Sequence, residues 1–315
     1  FDMVGVLSLC LMILIVLAMI IQYKALGAKR FDFLDNGTQQ TTLQSLGRGK
    51  GLCLSIGCLI YVMISIGIPM VSSLIMSFSS AISLTKFTFT LDNYRNILSA
   101  DSTLLVGIAH SLGLAVIAAG IGLLIAFCCA YVLTYAKTPL KKAIDMTTLV
   151  AMAVPGIVLG VGYIFVWNQK WLVPIGLHLY GTPAILVLAV VAAAIPLINR
   201  ILVAGMAKIP ESLLVAAEMQ GAGFFTKIKT ILLPLLHNSS VSAVLSAFGG
   251  SIFNLAITTI LYPPNWETLP VWISDSYNDL KFGDAAAATI VSGICIITIM
   301  VLLERLLNMK RARKG

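Results

Sequence analysis

The chain has 315 residues, of which 59% are hydrophobic and only 11% charged, and its formal net charge is +8. A soluble protein carries about a quarter charged residues, so this composition excludes an ordinary soluble fold. Apolar runs of the length that a membrane-crossing helix needs recur along the chain, without the alternation typical of a membrane β-barrel. The sequence therefore predicts an all-α, polytopic bundle of transmembrane helices.

Seven membrane spans are predicted in chain order. They lie at residues 3–22, 52–77, 105–135, 146–167, 184–206, 239–261 and 285–307. Pro155 and Pro196 fall inside the fourth and fifth spans, where a proline removes a backbone hydrogen bond and kinks a helix. The six cysteines all fall inside spans without metal-ligand spacing, so they are interpreted as small apolar residues and no metal site is predicted.

The basic residues are concentrated in alternate loops. Seventeen of the 21 lie before span two, around the loops that follow spans three and five, or after span seven. The other loops hold four basic residues and six acidic ones. This asymmetry follows the positive-inside rule and predicts a bacterial inner-membrane protein with a cytoplasmic C-terminus. The positive charge therefore reflects membrane orientation, and nucleic acid is not predicted as a partner.

The first span resembles the last, because both are Leu/Ile/Met-rich and continue into a basic stretch. We expect residues 1–22 to be the last transmembrane helix of an upstream half and residues 23–50, which are polar and contain glycine, to be a cytoplasmic linker. Residues 51–315 would then form the transmembrane domain, as the C-terminal half of a longer fused chain. The alternative is that any two terminal membrane helices look alike.

The loop between spans five and six has the sequence IPESLLVAAEMQGAGFFTKIKTILLPLL. Pro210 at a first helical position and Glu211 in the first turn are helix start signals. Gly221 or Gly223 can adopt the left-handed conformation that ends a helix. Apolar residues then recur at helical spacing until Pro234 interrupts them. The loop is therefore predicted to form two short helices at the cytoplasmic face, where small residues are exposed to another protein.

This loop resembles the EAA loop of binding-protein-dependent transport permeases, whose pattern is EAA, three residues, Gly, nine residues and Ile-x-Leu-Pro. The matching positions are Val215, Ala216, Ala217, Gly221, Ile231, Leu233 and Pro234. Val215 replaces the usual Glu, although Glu211 and Glu218 lie about one turn to either side. The resemblance implies that the first short helix docks on an ATPase subunit and transmits its motion to the membrane helices.

Other segments, above all AVPGIVLGVGYIFVW, are similar to permeases of ferric-iron importers. The resemblance implies a bundle like that of type I ABC importers, which translocates a small solute, ferric iron first, delivered by an extracytoplasmic binding protein. The implied partners are an ATPase dimer, a second permease half (fused or separate), the binding protein and membrane lipid. Polyamine, sulfate, thiamine and phosphonate permeases share the loop and stay open as alternatives.

The chain is not predicted to be an enzyme. No Walker A pattern occurs in it, so ATP and Mg²⁺ would bind to the partner ATPase and no cofactor is predicted here. A transporter of a different class, driven by an ion gradient, would need ionisable groups at mid-membrane. No Asp or Glu lies at the centre of a predicted span, which disfavours that class.

Candidate pathway or hinge residues are Pro155, Gly156, Pro196 and Asn254, with simple packing kinks as the alternative for the prolines. Close helix approach is the preferred interpretation of the three glycines of the fourth span, Gly156, Gly160 and Gly162.

Two polar side chains near the membrane edges receive specific predictions. Arg200 lies in the lower part of span five, close enough to the cytoplasm for its guanidinium to reach the interface. His110 begins span three near the opposite interface, where we expect it to make a hydrogen bond.

Overall fold

The computed structural model describes residues 47–80, 88–99 and 101–312, together with isolated positions between residues 6 and 21. Those isolated positions are helical, in agreement with the first predicted span. The rest of span 3–22, and most of the linker predicted at 23–50, lie outside the described residues.

The regular secondary structure of the described chain consists of helices, which confirms the predicted all-α class. In chain order the helices are α1 (Arg48–Val62), α2 (Ile68–Ser77), α3 (Asp92–Ile97), α4 (Leu104–Tyr135), α5 (Leu140–Ala153), α6 (Gly156–Trp167), α7 (Pro183–Met206), α8 (Glu211–Met219), α9 (Phe224–Lys227), α10 (Leu233–Leu235), α11 (His237–Ile252), α12 (Leu255–Leu261), α13 (Leu269–Asn278) and α14 (Phe282–Ala312). Single π-helical turns join α1 to α2 and α9 to α10, and a 3₁₀ segment precedes α7.

Four helical stretches of the described chain are long and apolar enough to cross a membrane. They are Gly49–Ser77, Leu104–Tyr135, Pro183–Met206 and Phe282–Asn308. Two bent helix pairs would raise the number to six, the number predicted for residues 51–315. The straight spans agree with prediction within a few residues, because each is one apolar run bounded by polar residues.

The predicted fourth span, 146–167, is wrong as a single helix. The helical segment begins earlier, at Leu140, and α5 and α6 meet at an angle of 110°. Pro155 ends the first helix because its ring permits no hydrogen bond to the preceding turn. The change of direction is much larger than the kink expected of a proline within a continuous helix, so this segment forms an elbow.

The predicted sixth span, 239–261, is also interrupted. It consists of α11 and α12, which are separated at Phe253 and Asn254. The Asn254 side chain accepts a hydrogen bond from the backbone N–H of Ile257 at 3.1 Å, so it caps the start of α12. In addition, the helical stretch Phe224–Leu235 is bent by 74° relative to α11.

Helices α4 and α7 form the centre of the core, with α11 packed against both. The buried face of α4 consists largely of small residues, among them Ala115, Ala119 and Gly122. A Cβ atom added to Gly122 would lie 2.8 Å from Cδ1 of Ile198 on α7. Small side chains at this interface therefore let the two helix backbones approach closely.

A close approach between helices is confirmed at two of the three glycines for which it was predicted. A Cβ atom on Gly156 would lie 2.9 Å from Cβ of Ala256, and one on Gly160 would lie 3.1 Å from Cβ of Ile260. Both contacts join α6 to α12. Among the described residues, Gly162 has no such neighbour within 4 Å, so no close approach is seen at this glycine.

The two ends of the bundle differ in charge. We call the end at which α4 and α7 terminate the basic end, because Lys137, Lys141 and Lys208 lie beside it. At the opposite, acidic end, Asp101, Glu267 and three further aspartates surround a cavity of about 350 Å³. The fold thus places the basic and acidic loops on opposite sides of the apolar helices.

Candidate functional site

The loop that resembles the EAA motif is helical, as predicted. We call residues 207–236, which connect α7 to α11, the helical loop. Its first helix, α8, follows Pro210, which occupies the capping position instead of the first helical position. Glu211 then lies in the first turn, where a negative charge favours the helix dipole.

Gly221 ends α8 by a specific backbone arrangement. Its φ is +82°, a left-handed conformation that favours glycine. The N–H of Gly221 donates to the carbonyl of Glu218 at 2.9 Å, and the N–H of Ala222 donates to that of Ala217 at 3.0 Å. This pair of bonds is the Schellman motif, which satisfies the last carbonyls of a helix and fixes its end. Of the two glycines considered, Gly221 is therefore the one that caps.

Helix α8 has one anchoring side and one exposed side. Leu214 is buried with 6% of its surface exposed, and it joins the main core. The opposite side carries Ser212, Val215, Ala216 and Met219, all exposed, which we call the exposed strip. Met219 is 86% exposed and Val215 is 48% exposed. Val215, in place of the usual Glu, makes this strip almost wholly apolar.

The second arm of the helical loop packs back on the first. The Lys227 ammonium lies 2.9 Å from a carboxylate oxygen of Glu218, which joins α9 to α8. The hydrogen bond and the charge of Lys227 lower the pKa of Glu218 from its usual value. Both arms are thus held together by the turn at Gly221 and by this ion pair.

The end of the motif is partly buried. Ile231 is half-buried, whereas Leu233 and Pro234 are exposed. The bend expected at Pro234 occurs two residues later, at Leu236. The buried anchors of this arm are Leu232 and Leu236, with 0% and 1% of their surface exposed.

Tyrosines at the end of α4 hold both arms of the helical loop, and sequence reasoning missed them. The Tyr135 hydroxyl donates to the carbonyl of Met206 at 2.9 Å and lies 3.3 Å from that of Ile209. The ring of Tyr131 meets the ring of Phe224 edge-on, with centroids 5.4 Å apart. A signal was available, because two tyrosines one turn apart end a helix that is otherwise poor in polar aromatic residues.

A second cluster surrounds the elbow between α5 and α6. Gly156, Pro196 and Asn254 border one cavity of about 860 Å³, which we call the elbow cavity. Its other walls are mainly aliphatic, with Thr147 as a further polar residue. Pro155 caps the start of α6 beside the cavity, and α7 continues through Pro196 without interruption. Three of the four candidate pathway residues therefore meet at one place.

An ion pair fixes the elbow to α7. The guanidinium of Arg200 lies 2.8 Å from the carboxylate of Asp145 on α5 and 3.3 Å from the hydroxyl of Thr148. Arg200, predicted to reach the interface, is thus paired with a partly exposed carboxylate of a neighbouring helix. Asn199 beside it is fully buried, and its side-chain amide has no hydrogen-bond partner among the described residues.

Replacing Gly221 by alanine should loosen α8. A Cβ atom at this position meets no neighbour within 4 Å, so the expected cost comes only from the positive φ and amounts to about 1 kcal/mol. Limited proteolysis of the purified chain should then cut the helical loop faster. Gly223→Ala is the matched control, because Gly223 has a φ of −69° and also has open space around it. Equal cleavage of both variants would contradict the capping role.

Transport permeases of other bacteria are among the proteins similar to this chain. The permease protein assigned to a 2-aminoethylphosphonate transport system in Salmonella paratyphi A is 30% identical over 168 residues, which cover 53% of this chain and 61% of that protein. A ferric transport system permease protein of Actinobacillus pleuropneumoniae is 25% identical over 220 residues, which cover 69% of this chain and 31% of that protein. The chain thus spans about three fifths of the first relative and less than a third of the second.

The fold has a close counterpart among solved structures. A crystal structure of a bacterial ABC transporter involved in the import of the acidic polysaccharide alginate matches with a TM-score of 0.64 and 16% identity, covering 83% of this chain and 94% of that chain. This likeness concerns the fold alone. Residues 118–313 match the family described as "Binding-protein-dependent transport system inner membrane component". This match includes the helical loop, the elbow and more than half of the chain, so the chain belongs to that family of membrane transport permeases.

Proposed function

We propose that this chain is the membrane-spanning permease subunit of an ATP-driven importer, and that an ATPase subunit drives it through α8. The observation that carries the proposal is the exposed strip. A capped helix whose outward side is apolar, with small Ala216 at its centre, suits insertion into a groove of another protein. Its inward side is anchored by Leu214, so a movement of α8 would reach the core.

The orientation and the partners follow from this role. The basic end would face the cytoplasm, with the C-terminus on the same side, because positive loops remain cytoplasmic. An ATPase dimer would supply ATP and Mg²⁺, and a binding protein would deliver the solute at the acidic end. A second permease half would complete the membrane unit. ATP hydrolysis would take place on the ATPase, and this chain would move the solute across the membrane.

The elbow cavity is our candidate for part of the solute pathway. It lies where α6 and α12 both begin, beside Pro196. The two membrane spans to which α6 and α12 belong are both interrupted here. The bundle can therefore change shape at this point without breaking a long helix. Pro155, Gly156, Pro196 and Asn254 would then act as hinge or lining residues, as the alternating opening of the two membrane faces requires.

Two cargoes are supported by similarity. Ferric iron is favoured by the motif resemblance, and one relative is a ferric transport system permease protein. The relative with 30% identity belongs to a 2-aminoethylphosphonate system, which makes that phosphonate an equal candidate. Proteoliposomes that contain the full complex should take up one of these two solutes when its loaded binding protein and ATP are supplied. Uptake of neither solute would remove both candidates.

Introducing a carboxylate on the exposed strip tests the docking proposal. Met219→Glu would place a charge in the apolar contact, and its desolvation should lower the amount of copurified ATPase by about tenfold. The measurement is quantitative mass spectrometry of the complex purified through a tag on this chain. Leu98→Glu is the control, because Leu98 is 57% exposed at the acidic end. Full retention of the ATPase by Met219→Glu, or its absence from the unaltered complex, would contradict the proposal.

A further inference from the structure

Helix α4 contacts the chain just before the proposed docking helix. The Tyr135 hydroxyl bonds to the carbonyls of Met206 and Ile209, which lie between the last turn of α7 and the start of α8. Met206 is fully buried and Ile209 is 7% exposed, so these carbonyls belong to packed backbone and not to a mobile connector. A displacement of α8 along the bundle must therefore either move the end of α4 or break these bonds.

The other end of α4 is attached in the same way to the loop that precedes α13. The Ser111 hydroxyl accepts a hydrogen bond from the backbone N–H of Leu269 at 2.9 Å, in a buried contact. His110 donates from Nδ1 to the carbonyl of Glu267 at 2.8 Å. Its ring stacks on that of Trp266, with centroids 4.1 Å apart. His110 therefore makes a hydrogen bond, as predicted.

The backbones are also in direct contact at this acidic end. A Cβ atom on Gly107 would lie 3.4 Å from the backbone nitrogen of Leu269. The loop backbone therefore packs against α4 at a position where no side chain of α4 lies between them. The loop carries Glu267, which borders the acidic cavity at the face proposed to receive the binding protein.

Both attachments lie on α4, which is one continuous helix of 32 residues. Such a helix is about 48 Å long, which exceeds the apolar thickness of a bilayer. It contains no proline, and its small buried residues pack along α7. A helix of this kind moves as a unit, as an element that couples two distant sites must do.

We propose that α4 transmits the signal between the binding-protein face and the ATPase, with Ser111 and Tyr135 as the positioning residues at its two ends. This inference rests on the proposed function. Neither residue borders the elbow cavity proposed for the solute or belongs to the exposed strip proposed for the ATPase. Each connects α4 to the backbone of a docking element, so the loss of either hydroxyl should leave both partners bound but weaken their communication.

The test uses the complete complex in lipid nanodiscs and measures ATP hydrolysis with and without loaded binding protein. The probes are binding protein saturated with ferric iron or with 2-aminoethylphosphonate, whichever stimulates the unaltered complex. Tyr135→Phe should lower the ratio of stimulated to basal hydrolysis by about fivefold, the effect of one hydrogen bond. Ser111→Ala should act similarly, with basal hydrolysis and bound ATPase unchanged.

Matched variants separate transmission from general packing. The Tyr163 hydroxyl bonds to the carbonyl of Leu188 at 3.4 Å, so Tyr163→Phe removes a comparable contact between other helices. In the part of the chain that the structure describes, the Ser292 hydroxyl bonds within its own helix, to the carbonyls of Ala288 and Thr289, so Ser292→Ala controls for a buried serine. Both controls should keep the stimulation ratio of the unaltered complex.

The double variant Tyr135→Phe/Ser111→Ala gives the sharpest result. If the two contacts act in series through α4, breaking both should lower stimulation by about fivefold, the same effect as breaking one. Independent sites would instead give the product of the two effects, about 25-fold. A product of the two effects would overturn the inference, as would unchanged stimulation in Tyr135→Phe or loss of its bound ATPase. If neither probe stimulates the unaltered complex, the proposed function itself fails.

Discussion

Replacing Gly205 by leucine should destabilise the bundle by about 3 kcal/mol, near the upper range of overpacking costs. A Cβ atom at this position would lie 2.8 Å from Cβ of Ser239 and 3.0 Å from Cδ2 of Leu236, and it would also overlap Oγ of Ser239. Ser239 Cβ is attached to the backbone of α11, so a change of rotamer cannot relieve the contact. The helices α7 and α11 must separate, close to the point where both enter the helical loop.

The measurement is the free energy of unfolding of the purified chain in mixed micelles. Gly120→Leu provides the control, because Gly120 lies in the middle of α4, is exposed and has no neighbour within 4 Å of an added Cβ atom. That variant should unfold with nearly the free energy of the unaltered chain. Equal stability of the two variants would show that α7 and α11 do not depend on this close approach.

The straight helices were predictable because the residues that determine where they begin and end are neighbours in the sequence. Helices α4 and α7 each begin one residue before the predicted spans at 105–135 and 184–206, and they end at the predicted residues. Each apolar stretch is bounded by polar residues, and burial in lipid makes a helix the only local structure that satisfies its backbone. The same holds for α8, whose start near Pro210 and Glu211 and whose end at one of two glycines, Gly221 or Gly223, follow from the residue types.

The elbow could not be predicted in the same way. Pro155 indicates that a helix bends there, but the angle of 110° depends on how α5 packs against α7. That packing includes the ion pair of Asp145 with Arg200, 55 residues away in the chain. A single sequence does not reveal which charges are paired over such a separation. The interruption at Asn254 did leave a local signal, since asparagine is a preferred helix cap.

In the candidate site, too, local features were predictable from the sequence and contacts between distant residues were not. The exposed strip of α8 follows from helical spacing, and the motif resemblance located it. The attachment of the helical loop to α4 was not predicted, because the hydroxyl of Tyr135 bonds to the carbonyl of Met206, 71 residues later in the chain. Backbone carbonyls carry no residue-specific pattern, so sequence reasoning can suggest that a tyrosine needs a partner without identifying it.

Removing one member of the Arg200–Asp145 pair should destabilise the bundle more than removing both. Breaking a fully buried pair costs about 3–5 kcal/mol, but here the side chains are 30% and 44% exposed, so we expect about 2 kcal/mol for Arg200→Leu or Asp145→Leu. The lone charge that remains is the cause, since few groups nearby can neutralise it in an apolar bundle.

The double variant Arg200→Leu/Asp145→Leu should recover most of this loss, because two aliphatic side chains replace a pair whose desolvation is itself unfavourable. Unfolding free energies of the four chains form a double-mutant cycle, and a coupling of about 2 kcal/mol or more is expected. Additive losses would mean that the two charges do not interact in the folded chain.

The double variant Arg200→Leu/Asp145→Leu is also informative about transport, because α5 would remain packed on α7 without a charged contact. If the elbow must move during transport, the apolar pair should preserve stability while changing the rate of solute uptake.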